Sequence, residues 1–186
     1  ISPLDGLRAR LEPTIKVDYA RGYVGDVTGE YNGVTTGQSL KDTRSPEELI
    51  NDAVEKAKQA DYVIMFGGLN KSDYQDCEGH DRKEYGLPYA QDQLIEALAK
   101  ANKRFVYVNI SGNAVAMPWV RQVPAIVQGW YLGSETGHAM ADVLTGDVNP
   151  SGKLPYTWTV SLNDVPAHAL GTFPGTWRPD HKIIDE

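Results

Sequence analysis

The stretch YQDCEGHDRKEYGLP, Tyr74 to Pro88, sets four carboxyl groups, Asp76, Glu78, Asp81 and Glu84, around one histidine, one arginine and one lysine. A carboxyl group crowded by like charges, or partly buried, holds its proton to higher pH. That is what a general acid working near neutrality needs. Glu78, with Asp76 two residues before it and Asp81 three after, is the candidate acid. His80 is a candidate base. Against both stands the plain reading of a solvated connector, whose acids face water and whose histidine is simply hydrated or ion-paired.

A strand ends just before this stretch. DYVIMFGGL, Asp61 to Leu69, is a continuous apolar run of the kind that fills a buried parallel strand. RFVYVNIS (104–111) and AIVQGWY (125–131) read the same way, IKVDYA (15–20) alternates as a strand does, and LPYTW (154–158) reads as a short final strand. Helices fall between them. Ser2 and Pro3 start one through Leu11. Ser45-Pro46-Glu47-Glu48 supplies a cap, a first-turn proline and a capping-box glutamate for a second. A third runs from about Pro88 to Asn102, and a fourth from Ser134, as its cap, to about Thr145. Arg21 to Arg44, with five glycines, reads as a long loop, and Asn149 to Gly152 as a turn. Alternating helices and apolar strands predict an α/β fold, a three-layer α/β/α sandwich with a mostly parallel, flavodoxin-like sheet. The whole chain, 1–186, reads as one domain, with 160–186 an irregular tail leading toward a following segment.

In such a sheet, ligands bind where the strands' carboxyl ends release their loops. Three loops qualify. Asn70 to Leu87 is 18 residues long, beyond the length usual for a structureless connector. SGNAVAMPW brings Ser111, Asn113 and Trp119, and GWYLGSE brings Trp130 and Tyr131. Aromatic rings beside amides and carboxylates suit a sugar, apolar on its faces and hydroxylated at its rim. Trp119 and Trp130 fit a core or a domain interface equally well. A nucleotide site finds no support: neither G-x-G-x-x-G nor G-x-x-x-x-G-K-[ST] occurs, and FGGLNKS has the wrong spacing. Gly133-Ser134-Glu135 is no nucleophile elbow. His80, His138, His168 and His181 show no metal-type spacing on one helix.

The bulk numbers set the outer limits. The 186 residues suffice for one core, and 41% hydrophobic with 23% charged residues is an ordinary globular composition. A net charge of −7 without a basic stripe argues against nucleic acid. No apolar run reaches the ~18 residues of a membrane span. Cys77 is the only cysteine, so no intrachain disulfide forms. The chain opens at Ile1 and reads as a piece of something longer. A secreted or periplasmic bacterial setting is the expectation.

Taken together, several motifs resemble glycoside hydrolase family 3. DCEGHDRKEYGLPYAQDQLIEAL is similar to that family's E-G-x-D-R…L-P-x-x-Q-x-x-L-I signature. SPLDGLRARL, NISGNAVAMPW and AIVQGWYLGSETGHAMADVLTGDVNPSGKLPYTW follow the order of its C-terminal α/β sandwich. The resemblance covers Ser2 to Trp158. It implies a retaining exo-β-glycosidase of the β-glucosidase or β-xylosidase type, acting on terminal non-reducing β-linked sugars without metal or organic cofactor. It further implies that a (β/α)8 barrel of the same polypeptide supplies an aspartate nucleophile, while Glu78 supplies the acid/base. Asp81 and Arg82, by the same resemblance, pair to hold the loop or touch the site rim, and Trp130 binds the sugar or supports the loop. A barrel needs about 250 residues, so this chain by itself is expected to fold without turning over a glycoside. Two alternatives remain: a structural or carbohydrate-binding domain whose loop has lost its chemistry, and a small-molecule-binding flavodoxin-like domain.

Overall fold

The computed structural model describes residues 1–25, 30–31, 34–35, 41–78, 80–171, 176–177 and 183–185. In chain order the elements are α1 (Pro3–Leu11), the short antiparallel pair β1 (Glu30–Tyr31) and β2 (Val34–Thr35), α2 (Pro46–Gln59), β3 (Val63–Gly68), α3 (Gln91–Ala101), β4 (Phe105–Ile110), β5 (Ala125–Gln128), α4 (Thr136–Thr145), α5 (Pro166–Ala169), and a second antiparallel pair, β6 (Thr176–Trp177) and β7 (Ile183–Asp185).

The centre is a three-stranded parallel sheet in the order β3-β4-β5. Val63 pairs with Phe105 and Gly68 with Ile110, and Val106 to Asn109 pair with Ala125 to Gln128. Parallel neighbours need crossovers, and α3 provides the one between β3 and β4. Side chains alternate across a sheet. Val63, Met65, Phe105 and Tyr107 point to one face, where Ala53 and Ala57 of α2 and Leu94, Ile95 and Leu98 of α3 complete the core with Trp119. Ile110 points to the other face, toward Gly129 and Met140 of α4. Helices therefore cover both faces, and the fold is an α/β sandwich of three layers. Phe105, Tyr107, Ile95 and Trp119 are almost wholly buried, each worth about 1.5–3 kcal/mol of apolar burial.

Helix starts follow the cap chemistry where it is local. The Ser45 hydroxyl accepts from the Glu48 amide at 3.2 Å, and the Ser45 amide donates to the Glu48 carboxylate at 2.7 Å, a complete capping box. Ser2 caps α1 by accepting from the Asp5 amide. α1 then packs against α4 with backbone on backbone. A methyl on Gly137 would overlap the Ser2 carbonyl, so only glycine fits there.

Four local expectations fail. IKVDYA and LPYTW form no strand. Alternation makes a segment extended, but a strand also needs ladder bonds to a neighbour and a face to bury, and Ile15, Tyr19, Leu154 and Tyr156 stay exposed. The third helix starts at Gln91 rather than Pro88, because Tyr89 and Ala90 adopt left-handed backbone, φ 63° and 58°. Ser134 is not the cap of α4. It sits in a 3₁₀ turn, Gly133–Glu135, and no side chain caps the helix that follows. The Gly137 amide instead donates to the Ile1 carbonyl. In the tail, α5 gives order to part of 160–171. The glycine-rich 21–44 region lies partly, and His181 wholly, outside the described residues.

Candidate active site

Asp76, not Glu78, is where the three carboxyl-end loops meet. Its side chain is 8% exposed. One carboxylate oxygen accepts from the Gly112 amide at 2.6 Å and the Tyr131 hydroxyl at 2.7 Å, and the other accepts from the Asn113 side-chain amide at 2.9 Å. Asp76 leaves β3's end, Gly112 and Asn113 leave β4's, and Tyr131 leaves β5's. A buried carboxylate is tolerated only when hydrogen-bonded in this way. Burial first, and the bond to Asp76 second, push the Tyr131 hydroxyl well above the ordinary phenol range. It therefore remains a proton donor to the carboxylate.

The start of the long loop is built to deliver Asp76. The Asp76 amide donates to the Asn70 carbonyl, the Asn70 amide to Gln75 Oε1, and the Ser72 amide to Asn70 Oδ1. Gly68 closes β3 with φ 127°, and a side chain there would overlap the Ile110 carbonyl. Gln91, 0% exposed, seals the strand end. Its amide nitrogen donates to the Gly68 carbonyl at 2.8 Å, and its amide oxygen accepts from the Gly68 amide at 2.7 Å.

Below the loops lies a buried polar ladder on one face of β4. The Tyr107 hydroxyl donates to Asn109 Oδ1, Asn109 Nδ2 donates to Ser111 Oγ and to Gln128 Oε1, and Ser111 Oγ donates to the Asn113 carbonyl. Positions 107, 109 and 111 share a face because strand side chains repeat every two residues. Ser111, 0% exposed, belongs to this ladder and does not reach the cleft.

The loop's second anchor is Arg82. Its Nη2 donates to the Ala114 carbonyl at 2.6 Å, while Nη1 is buried with no hydrogen-bond partner among the described residues. Burial lowers the Arg82 pKa, and the nearby Asp76 charge partly offsets this. No ion pair joins Arg82 to Asp81: the guanidinium turns inward to backbone while Asp81 stays at the surface. Tyr85 adds a third tie, its hydroxyl donating to the Thr159 carbonyl at 2.9 Å and its carbonyl accepting from Ala116.

Glu78 lies between the anchors at Asp76 and Arg82. It is exposed and, among the described residues, has no hydrogen-bond or ion-pair partner. With Asp81, Glu84, Asn113, Tyr131 and Tyr156 it lines an open cleft of about 650 Å³. The cleft holds apolar ring surface and acidic groups together, as a sugar site requires. Trp130 stands behind this surface. Its backbone has φ 51°, and its ring meets Tyr156 at 6.3 Å and Trp158 at 6.5 Å, edge to face. Trp119 is in the core, with Nε1 donating to Asp92 at 2.6 Å and its ring edge-on to Tyr107. Sequence reasoning placed Ser111 and Trp119 among candidate site residues because they follow a strand end. It gave no role to Gln91, and it treated Asp76 only as a neighbour of Glu78. The carboxyl group at a strand end, followed by polar residues after two further strands, is the signal that could have found Asp76. The same loop also brings Asp73, Cys77 and His80 together, which helix-based histidine spacing could not indicate.

The fold is the three-layer α/β sandwich that the motifs suggested. The model of the glycosyl hydrolase family 3 C-terminal domain matches residues 1–181, and the chain belongs to that family. A β-glucosidase of Bacteroides ovatus is 51% identical over 177 residues, covering 94% of this chain and 23% of that protein. Among solved structures, a β-glucosidase of Erythrobacter marinus superposes with a TM-score of 0.74 at 31% identity, over 98% of this chain and 25% of that one. A family 3 β-glucosidase of Bifidobacterium adolescentis gives 0.72 at 35% identity, over 95% of this chain and 23% of that one. The chain thus spans about a quarter of the length of these relatives.

Proposed function

We propose that this chain supplies the general acid/base, Glu78, of a retaining exo-β-glycosidase that removes terminal non-reducing β-linked sugars. A (β/α)8 barrel of the same polypeptide would supply the nucleophile. The observation that carries this reading is the position of Glu78: exposed in the cleft and without a partner among the described residues, between the anchors at Asp76 and Arg82. A side chain that must meet a substrate held by another domain has to project while its loop stays fixed. The EGHDR sequence and the β-glucosidase names of the relatives support the same reading.

In the retaining reaction the two carboxyl groups stand about 5–5.5 Å apart across the glycosidic bond. Glu78 protonates the leaving oxygen while the partner carboxylate attacks the anomeric carbon. As a carboxylate it then takes a proton from the water that releases the sugar. Tyr131 and Tyr156 offer ring surface to the sugar, and Asp81 sits at the rim. Arg82 acts on the loop through the Ala114 carbonyl, and Trp130 by packing behind Tyr156.

The test is Glu78→Gln in the full-length polypeptide. Hydrolysis of glycosides with poor leaving groups should fall by about 10²–10⁴ with unfolding unchanged. Azide should restore turnover of an activated aryl glycoside. Wild-type rates on poor leaving groups would refute the assignment and favour a structural or carbohydrate-binding role for the domain.

A further inference from the structure

We propose that Asp73, Cys77 and His80 form a binding site for a thiophilic divalent cation, Zn²⁺ above all, and that the ion holds the Glu78 segment in an inactive position. The donor atoms of these three residues lie within 4.8 Å of one another. His80 Nδ1 is 3.1 Å from Asp73 Oδ1, and the Cys77 thiol donates to the His80 carbonyl at 3.3 Å. A sulfur, an imidazole nitrogen and a carboxylate oxygen are the three ligand types that Zn²⁺ takes in tetrahedral sites. With bonds of about 2.0–2.3 Å, its ligands stand roughly 3.3–3.8 Å apart. A shift of about 1 Å in the exposed Asp73 and His80 and the half-buried Cys77 closes that difference, which staggered rotamers supply readily.

The surroundings favour a cation. Residues 71–84 carry five carboxylates against three cations, a net negative field at the loop. All three cations are already engaged: Arg82 on the Ala114 carbonyl, the Lys71 ammonium 4.8 Å over the Tyr131 ring, and the Lys83 ammonium 3.9 Å over the Tyr74 ring, which itself stacks on His80 at 5.3 Å. The tyrosine limits the positions open to the imidazole, and a held imidazole is a better ligand than a free one. On binding, the thiol proton passes to solvent and a sulfur–metal bond replaces the hydrogen bond to the His80 carbonyl. The fourth position remains for water.

The consequence comes from the numbering. Cys77 and His80 flank Glu78, so an ion bound by both closes a ring that contains it. The ring draws 77–80 toward Asp73 and fixes Glu78 wherever the chelate dictates. Inhibition rests on the acid/base role proposed above, whereas binding does not.

The two parts are tested separately on the full-length protein. Co²⁺ serves as the spectroscopic probe, because a thiolate ligand gives a charge-transfer band that oxygen and nitrogen ligands do not. The band should appear on titration, vanish in Cys77→Ser and require about tenfold more Co²⁺ in His80→Ala. Zn²⁺ should protect Cys77 from alkylation, read by peptide mass spectrometry. No band, or a band that persists in Cys77→Ser, overturns the site. Zn²⁺ should also inhibit glycoside hydrolysis reversibly with a chelator, and Cys77→Ser should keep basal activity while losing that inhibition. Zn²⁺ bound at Cys77 with hydrolysis unaffected overturns the inhibitory role. If Glu78→Gln proves fully active while the cobalt band persists, the acid/base reading fails and the metal site stands.

Discussion

Replacing Asp76 tests how the site is held together. Asp76→Ala removes the acceptor for the Gly112 amide, the Asn113 side chain and the Tyr131 hydroxyl. A hydrogen bond to a charged group contributes about 1.5–3 kcal/mol, so three set a ceiling of roughly 4.5–9 kcal/mol. The donor residues are at the surface, with Tyr131 40% exposed, and water can satisfy much of what they lose. The expected net cost is therefore about 2–4 kcal/mol, within the 5–15 kcal/mol that typical domains possess. Asp76→Asn separates charge from geometry. Its amide oxygen can take the place that serves Gly112 and Tyr131, and the Asn113 amide can flip to accept from the new NH₂. That variant should lose only about 1 kcal/mol. Urea unfolding of the chain is the assay, with a shift in midpoint at constant slope. Tyr131→Phe should cost stability in the wild type and almost nothing on the Asp76→Ala background. A loss below about 0.5 kcal/mol for Asp76→Ala, or equal losses for Ala and Asn, would refute the idea that this carboxylate joins the loops.

Two further outcomes follow from the same structure. Gln91→Leu leaves the Gly68 amide and carbonyl unpaired at a buried strand end, and should destabilise by about 2–4 kcal/mol, seen as a lower urea midpoint. It should also speed amide exchange at residues 68–70, and unchanged exchange there would argue against the seal. For Asp92, burial raises the carboxyl pKa, and the bond from Trp119 only partly offsets this. A group with a raised folded pKa gives stability below its unfolded value and loses it as pH climbs through the folded one. Asp92→Asn keeps an acceptor for Trp119, so its stability relative to wild type should improve on going from pH 3 to pH 7. An offset independent of pH would contradict that.

Much of the fold was legible from local pattern. The β3 and β4 runs could be read because a strand buried on both faces is continuously apolar, and the helices beside them because a helix's buried face repeats with a fixed period. The Ser45 capping box could be read because its partners lie three residues apart. The crowded loop was equally visible, and Glu78 with it. Legibility ended where partners are distant in sequence. IKVDYA alternates as well as any strand, but nothing in its own residues says whether it docks on a ladder and buries a face. Trp119 and Trp130 both follow strand ends, and packing alone sends one to the core and the other against Tyr156 and Trp158.

The sequence by itself determined the central strands β3, β4 and β5 and the helices α1 to α4, where the loops leave the sheet, and that one loop carries an acid cluster. Tertiary structure decided which acid is buried among partners and which faces the cleft. Asp76 and Glu78 are two residues apart and chemically similar, yet one is 8% exposed and the other faces the cleft. Asp76's partners lie 36, 37 and 55 residues away, and only closure of the sheet brings them within reach. Hydrogen bonds of that range leave no period in the sequence, so burial of the one carboxylate and freedom of the other are properties of the folded chain.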